Sequence, residues 1–222
     1  MRLIADILNP LVGTVHRSFR KLGYLPEERG LYRKMTVTRY LDFIAALDGL
    51  RGRAAHRNAL EWIERFGLGI YATDRVESLS KGNQQKVQLV ATLMGHPDLL
   101  LWDEPFSGLD ALNQELLVEV LKENRERGVS ILLSTHRIED LESWADSQYM
   151  LVGRRFHRYR PPDVPARYIV NTDHGTTAVD AGNLSSAISQ FTAQGRIIRH
   201  VRPESGLAET FRTLLEETHV EE

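Results

Sequence analysis

The sequence predicts an α/β fold: a parallel sheet with covering helices, followed by a small C-terminal α+β unit. Three observations carry that prediction. Short apolar runs ("LLLWD", "SILLS", "YMLV") alternate with longer stretches of helical spacing, and such alternation implies parallel strands buried on both faces. The length, 222 residues, suits one domain with an appendage. After about residue 153 the texture changes: "RRFHRYRPPDVPAR" holds three of the eight prolines and five arginines and reads as a linker. The expected division is therefore 1–152 and 153–222.

Taken in order, "RLIADIL" has helical spacing, with Leu3, Ile4, Ile7 and Leu8 on one stripe, ended by Asn9 and Pro10. "KLGYLPEERGLY" reads as a short strand and a loop broken by Pro26 and Gly30. "TVTRYLDFIAALDGL" reads as a helix capped by Thr36, with Val37, Leu41, Ile44 and Leu47 inward. "AAHRNALEWIERFGL" repeats that logic. "NQQKVQLVATLMGHP" is a third helix, closed by Gly95 and Pro97. "DLLLWDE" is a buried strand, and Asp110 caps the helix "ALNQELLVEVLKENRERG". "VSILLST", the helix "RIEDLESWA" and the strand "SQYMLVGR" complete the sheet. In the appendage, "RYIVNT", "LSSAISQFTAQG", "RIIRHVRP" and "GLAETFRTLLEE" read as strand, helix, strand, helix.

Composition excludes several classes. There is no cysteine, so disulfides, thiolate catalysis and cysteine zinc sites are out. The formal charge of −2, with both signs interspersed, argues against a general nucleic-acid binder or a binder of anionic membranes. No window approaches the ~18 apolar residues of a membrane span. The start lacks the form of a secretory signal. The expected location is cytoplasmic, with membrane contact only through a partner.

The chemistry gathers in three places. In "LSKGNQQK", Ser80 and Gly82 stand at a helix start, where unpaired N–H groups and the positive end of the dipole suit phosphate. The bland alternative is a plain serine cap. About 20 residues on, an apolar strand ends in Asp103 and Glu104. Adjacent charges there are costly unless a cation or ligand answers them. One carboxylate suits Mg²⁺, which takes oxygen ligands alongside phosphate, and the other can activate a water. The alternative is a strand end facing solvent. His136 ends the next strand, and in parallel sheets ligands bind where strands reach their carboxyl ends.

These stretches resemble the ATP-binding-cassette ATPases. "LSKGNQQK" looks like the signature motif, "LLLWDEP" the Walker B strand, "SGLD" the D-loop and "STH" the switch histidine. The resemblance covers about residues 1–152 and implies ATP and Mg²⁺ as cofactors. It implies Asp103 on Mg²⁺, Glu104 as base at the attacking water and His136 as sensor of the γ-phosphate. Ser80, Gly82 and Asn83 would meet nucleotide held by a second ATPase subunit, with Asp110 communicating across the pair. Glu27 occupies the place of the Q-loop glutamine. Lys81 and Asn83 depart from the usual glycine and glutamine. The tail resembles the extension of a prokaryotic subgroup of sodium and drug exporters, which implies transmembrane permease partners and a lean to export.

One expected element is not found. The phosphate loop G-x-x-x-x-G-K-[ST] occurs nowhere in the sequence. The resemblance places Met1 a few residues past that loop's lysine, so the first strands and an adenine-stacking aromatic are expected outside these residues. Two other functions follow: a noncatalytic cassette that only completes a partner's ATP site, or a soluble cassette protein outside transport. ATP binding by the chain alone discriminates the first; paired cassettes or long coiled coils, which the sequence lacks, would mark the second.

Overall fold

The computed structural model describes residues 1–28, 30–136, 145–159, 167–204 and 210. The chain divides into two compact units, 1–136 and 137–222.

In the first unit, β1 (Leu22–Leu25), β2 (Leu99–Asp103) and β3 (Ser130–Ser134) form a parallel sheet in that spatial order. The strands end level: Asp103 lies opposite Ser134, and Leu25 opposite Trp102. Four helices accompany them: α1 (Val37–Leu47), α2 (Arg53–Arg65), α3 (Lys81–Leu93) and α4 (Ala111–Glu126). α3 lies close on β1. A Cβ at Gly23 would sit 2.3 Å from the Thr92 carbonyl oxygen, so only glycine admits that approach. Trp102 is wholly buried, and its indole Nε1 donates to Thr92 Oγ1 at 2.9 Å. Leu25, Leu41, Leu68, Leu89, Leu100 and Leu117 complete the centre of this core.

Thr36 caps α1 as its sequence implies, accepting from the Arg39 N–H. Its inward stripe is Val37, Tyr40, Leu41 and Ala45, whereas Leu47 is exposed. Tyr40 replaces it because its ring fills the space beside Tyr32; burial, then the neighbouring Tyr32, pushes the Tyr40 phenol up to about 12.

Several expectations are corrected. "RLIADIL" is not a helix but a set of turns, with Ile4 N–H bonded to Met1 O and Ile7 N–H to Arg2 O, both at 3.0 Å. Leu3, Ile7 and Leu8 are exposed, so the stripe gains no packing, and so short a helix cannot stand on hydrogen bonds alone. Arg17 takes the Leu3 and Ile4 carbonyls instead.

"SQYMLVGR" is not a further parallel strand. Residues Gln148–Val152 (β4) pair antiparallel with Arg155–Tyr159 (β5), part of the stretch read as linker. Gly153 and Arg154 both have positive φ, 54° and 64°, the backbone a tight two-residue hairpin requires. That hairpin lies beyond the division at 136/137 rather than before one at 152/153.

The second unit also holds an antiparallel sheet in the order β7–β6–β8, built from β6 (Arg167–Thr172), β7 (Gly175–Asp180) and β8 (Ile198–Pro203). α5 (Leu184–Ala193) connects β7 to β8. The sequence reading missed β7: "GTTAVD" offers only Val179 to the core. The expected helices over "RIEDLESWA" and "GLAETFRTLLEE" fall on 137–144, 205–209 and 211–222, outside the described residues. No helix of the described residues is long and apolar enough to cross a membrane.

Candidate functional site

The site is built at the carboxyl edge of the parallel sheet, where β1, β2 and β3 stop together. β2 delivers Asp103 and then Glu104. The Ser134 hydroxyl at the end of β3 donates to Asp103 Oδ1. That bond orients the carboxylate and leaves Oδ2 for a hard cation. Among the described residues no group of three or more His, Asp or Glu side chains could hold a metal by itself. One carboxylate with a hydroxyl beside it suits Mg²⁺, which keeps several waters and takes its other ligands from phosphate.

Glu104 follows with φ 51°, a left-handed conformation costly for a residue with a Cβ. Its N–H donates to Ser134 O at 3.0 Å, and its own carbonyl accepts from Ser107 N–H at 3.1 Å. The carboxylate is thereby folded toward the end of β3. Oε1 accepts the His136 backbone N–H at 2.9 Å, and Oε2 lies 2.9 Å from His136 Nδ1. Glu104 is 20% exposed and His136 76%. A half-shielded acid with an open imidazole against it can hold a water and pass its proton.

The three expected residues Asp103, Glu104 and His136 therefore meet, as parallel register demands. Glu27 stands two residues beyond β1, on the same edge. It is exposed and makes no ion pair or side-chain hydrogen bond among the described residues.

A second cluster forms at the start of α3. Ser80 is its N-cap, and Ser80 Oγ accepts the Asn83 N–H at 3.3 Å. The Ser80 hydroxyl proton stays available to an acceptor outside. Gly82 lies against the turn after β2: a Cβ there would be 2.8 Å from the Gly108 carbonyl oxygen. Asp110, at that turn's end, caps α4 and accepts from Asn113 N–H (2.9 Å) and Asn113 Nδ2 (2.8 Å). These bonds, then the cation of Lys86, hold its carboxyl below the usual range. So Ser80, Gly82 and Asn83 adjoin the turn that carries Asp110.

Sequence reasoning missed Ser134, although a hydroxyl ending the strand next to an acid pair follows from level parallel ends. It also missed Gln84, Gln85 and Lys86, polar residues almost wholly buried in α3.

Three comparisons bear on this arrangement. Residues 1–107 match the family model described as ABC transporter. The chain is 48% identical over 131 residues to the uncharacterized ABC transporter ATP-binding protein YhaQ of Bacillus subtilis, covering 59% of the chain and 44% of that protein. It is 37% identical over 178 residues to the uncharacterized ABC transporter ATP-binding protein MJ1023 of Methanocaldococcus jannaschii, covering 79% of the chain and 68% of that protein. Among solved structures, one titled "Structure of ATP binding subunit of ABC transporter" superposes with a TM-score of 0.59 at 32% identity, over 63% of the chain and 58% of that structure. The chain thus spans 44% to 68% of the length of these proteins.

Proposed function

Because the chain belongs to the ABC transporter family of ATP-binding proteins, we propose that it is a nucleotide-hydrolysing subunit that drives export through separate membrane subunits. The observation that carries this reading is the meeting of Asp103, Glu104 and His136 at one sheet edge. Asp103 would share Mg²⁺ with the nucleotide phosphates. Glu104 takes a proton from the attacking water, and His136 holds that carboxylate in place while facing the terminal phosphate. Ser80, Gly82 and Asn83 present a helix N-terminus to the nucleotide of a second ATPase subunit. Glu27 stands at the edge where the water and cation gather, and Asp110 lies where the two subunits meet. On this reading the chain works on the cytoplasmic side.

The test joins the chain to a segment that carries the phosphate loop G-x-x-x-x-G-K-[ST]. Glu104→Gln should lower hydrolysis by about 10² to 10⁴ while nucleotide binding persists, because glutamine keeps the shape but cannot act as a base. Hydrolysis within a few-fold of the parent would refute the role. A second reading is a noncatalytic cassette that completes a partner's site. Calorimetry on the 222-residue chain alone separates them in part: without the loop's amides and lysine, Mg-ATP binding should be weak or absent. In that second reading Ser80→Ala, and not Glu104→Gln, weakens a complete partner's hydrolysis.

A further inference from the structure

One face of α3 grips the turn that follows the acid pair. Gly82, Gln85 and Lys86 are spaced i, i+3 and i+4, so they share a face. Gly82 lies against the Gly108 carbonyl, as above. Gln85, 5% exposed, donates from Nε2 to the Pro105 carbonyl at 3.4 Å. Lys86 is 8% exposed, and its Nζ donates to the Phe66 carbonyl at 2.9 Å. Phe66 caps the C-terminal end of α2, where carbonyls lack helical partners and the dipole favours a cation.

A buried lysine is costly unless it is held. Burial lowers the Lys86 pKa, and the field of Asp110 opposes that. Asp110 in turn is held below its usual range partly by Lys86. The ammonium is bonded to the end of α2 and reaches the end of the acid turn through its field, while the direct bond to that turn is the one Gln85 gives Pro105. Arg65, in the last turn of α2, does not share this task, since its guanidinium is paired with Glu123. Phe106 and Leu109, both nearly buried, seat the turn from within.

We propose that Lys86, with Gln85 beside it, is a positioning residue that fixes the Pro105–Asp110 turn, and through it Glu104, to the end of α2. Glu104 sits at the head of this turn in a left-handed conformation that its surroundings must hold. Movement of the α1–α2 pair is then felt at the base. This inference rests on the role given to Glu104 above.

Hydrogen exchange on the 222-residue chain tests it first. In Lys86→Met, the amides of Ser107 and Leu109 should exchange about tenfold faster, while those of α1 stay within twofold, and Lys86→Arg should restore them. A uniform rise across residues 1–136, or no change at the turn, would overturn the proposal. Lys86→Met is the variant that risks not folding. Asp110→Asn is exposed and remains a good cap, so it keeps the fold. There the Lys86 ammonium, followed by NMR, should titrate at lower pH than in the parent; an unmoved titration overturns the link to the turn. In the chain carrying a phosphate loop, Lys86→Met should lower kcat at least tenfold with KM unchanged. If Glu104→Gln abolishes hydrolysis and Lys86→Met does not, this proposal fails and the function stands. If Glu104→Gln leaves hydrolysis intact, the function fails with it.

Discussion

α3 and α5 are helices of similar length, 13 and 10 residues, and their sequences are similarly mixed. Yet every residue of α3 from Gln84 to Leu93 is buried, whereas α5 buries none. α3 starts on a serine cap whose side chain bonds the first turn; Asn183, ahead of α5, makes no such bond. A helix that is buried all round must satisfy its polar groups inside. α3 does so for three of them with the loops around it: Gln84 to Leu79, Gln85 to Pro105, Lys86 to Phe66; the buried Gln88 Oε1 finds no partner among the described residues. Its polar residues hold the edges of the site in place. Among the described residues α5 holds nothing of that kind, and Val170, Thr172 and Val179 are those buried in the sheet it adjoins.

The largest effect that would sharpen this contrast is at Trp102. Trp102→Ala removes a fully buried ring and the bond to Thr92, and should cost about 3–5 kcal/mol in urea unfolding. Phe191→Ala in α5 removes a half-buried ring stacked by Arg196 and should cost about 1 kcal/mol. Equal costs would break the comparison.

Next comes Gln84→Leu. It leaves the Leu79 carbonyl without its buried donor just before Ser80, a loss of about 1–3 kcal/mol. Faster exchange at the Asn83 amide, read by NMR, would localise the damage to the start of α3.

The legible part of this molecule was the part with strong local signals. Apolar runs marked β2 and β3, Thr36 and Asp110 marked helix starts, and the acid pair marked the sheet edge. Parallel register then brings Asp103, Glu104 and His136 together, because strands that start level also end level. What failed lacked such signals. The apolar stripe of residues 3–8 looks helical, but periodicity does not say whether a partner surface exists. "YMLV" is as apolar as a parallel strand, and only the Gly153–Arg154 turn sends it back as a hairpin. Gln85 and Lys86 read as surface residues because their partners are main-chain carbonyls, which leave no mark in a sequence.

A smaller effect concerns the rim of the first unit. Arg65 bonds both carboxylate oxygens of Glu123, and holds that acid below its usual range, mainly through the hydrogen bonds. A lowered folded pKa contributes stability that is present above the unfolded value. It is lost as pH falls through the folded value. The pair is more than a third exposed on the Glu123 side, so solvent screens it. Glu123→Gln should flatten the acid side of the stability curve by only about 0.5 kcal/mol. Stability that rises as pH falls below the ordinary glutamate range would reverse the assignment.

The smallest effect is the matched control for Gln84. Gln190 lies exposed in the middle of α5, and no side-chain bond holds it. Leucine and glutamine have similar helix propensities, so the backbone should not notice the change. No buried carbonyl is orphaned, and no cavity opens. Gln190→Leu should therefore shift unfolding by no more than about 0.5 kcal/mol in either direction. The same substitution, glutamine to leucine, in two helices of similar length then reads out the buried hydrogen bond of Gln84. If Gln190→Leu proves as costly as Gln84→Leu, α5 is covered by something that the described residues do not include. The second unit would then owe its order to packing on its outer surface rather than to its own sheet.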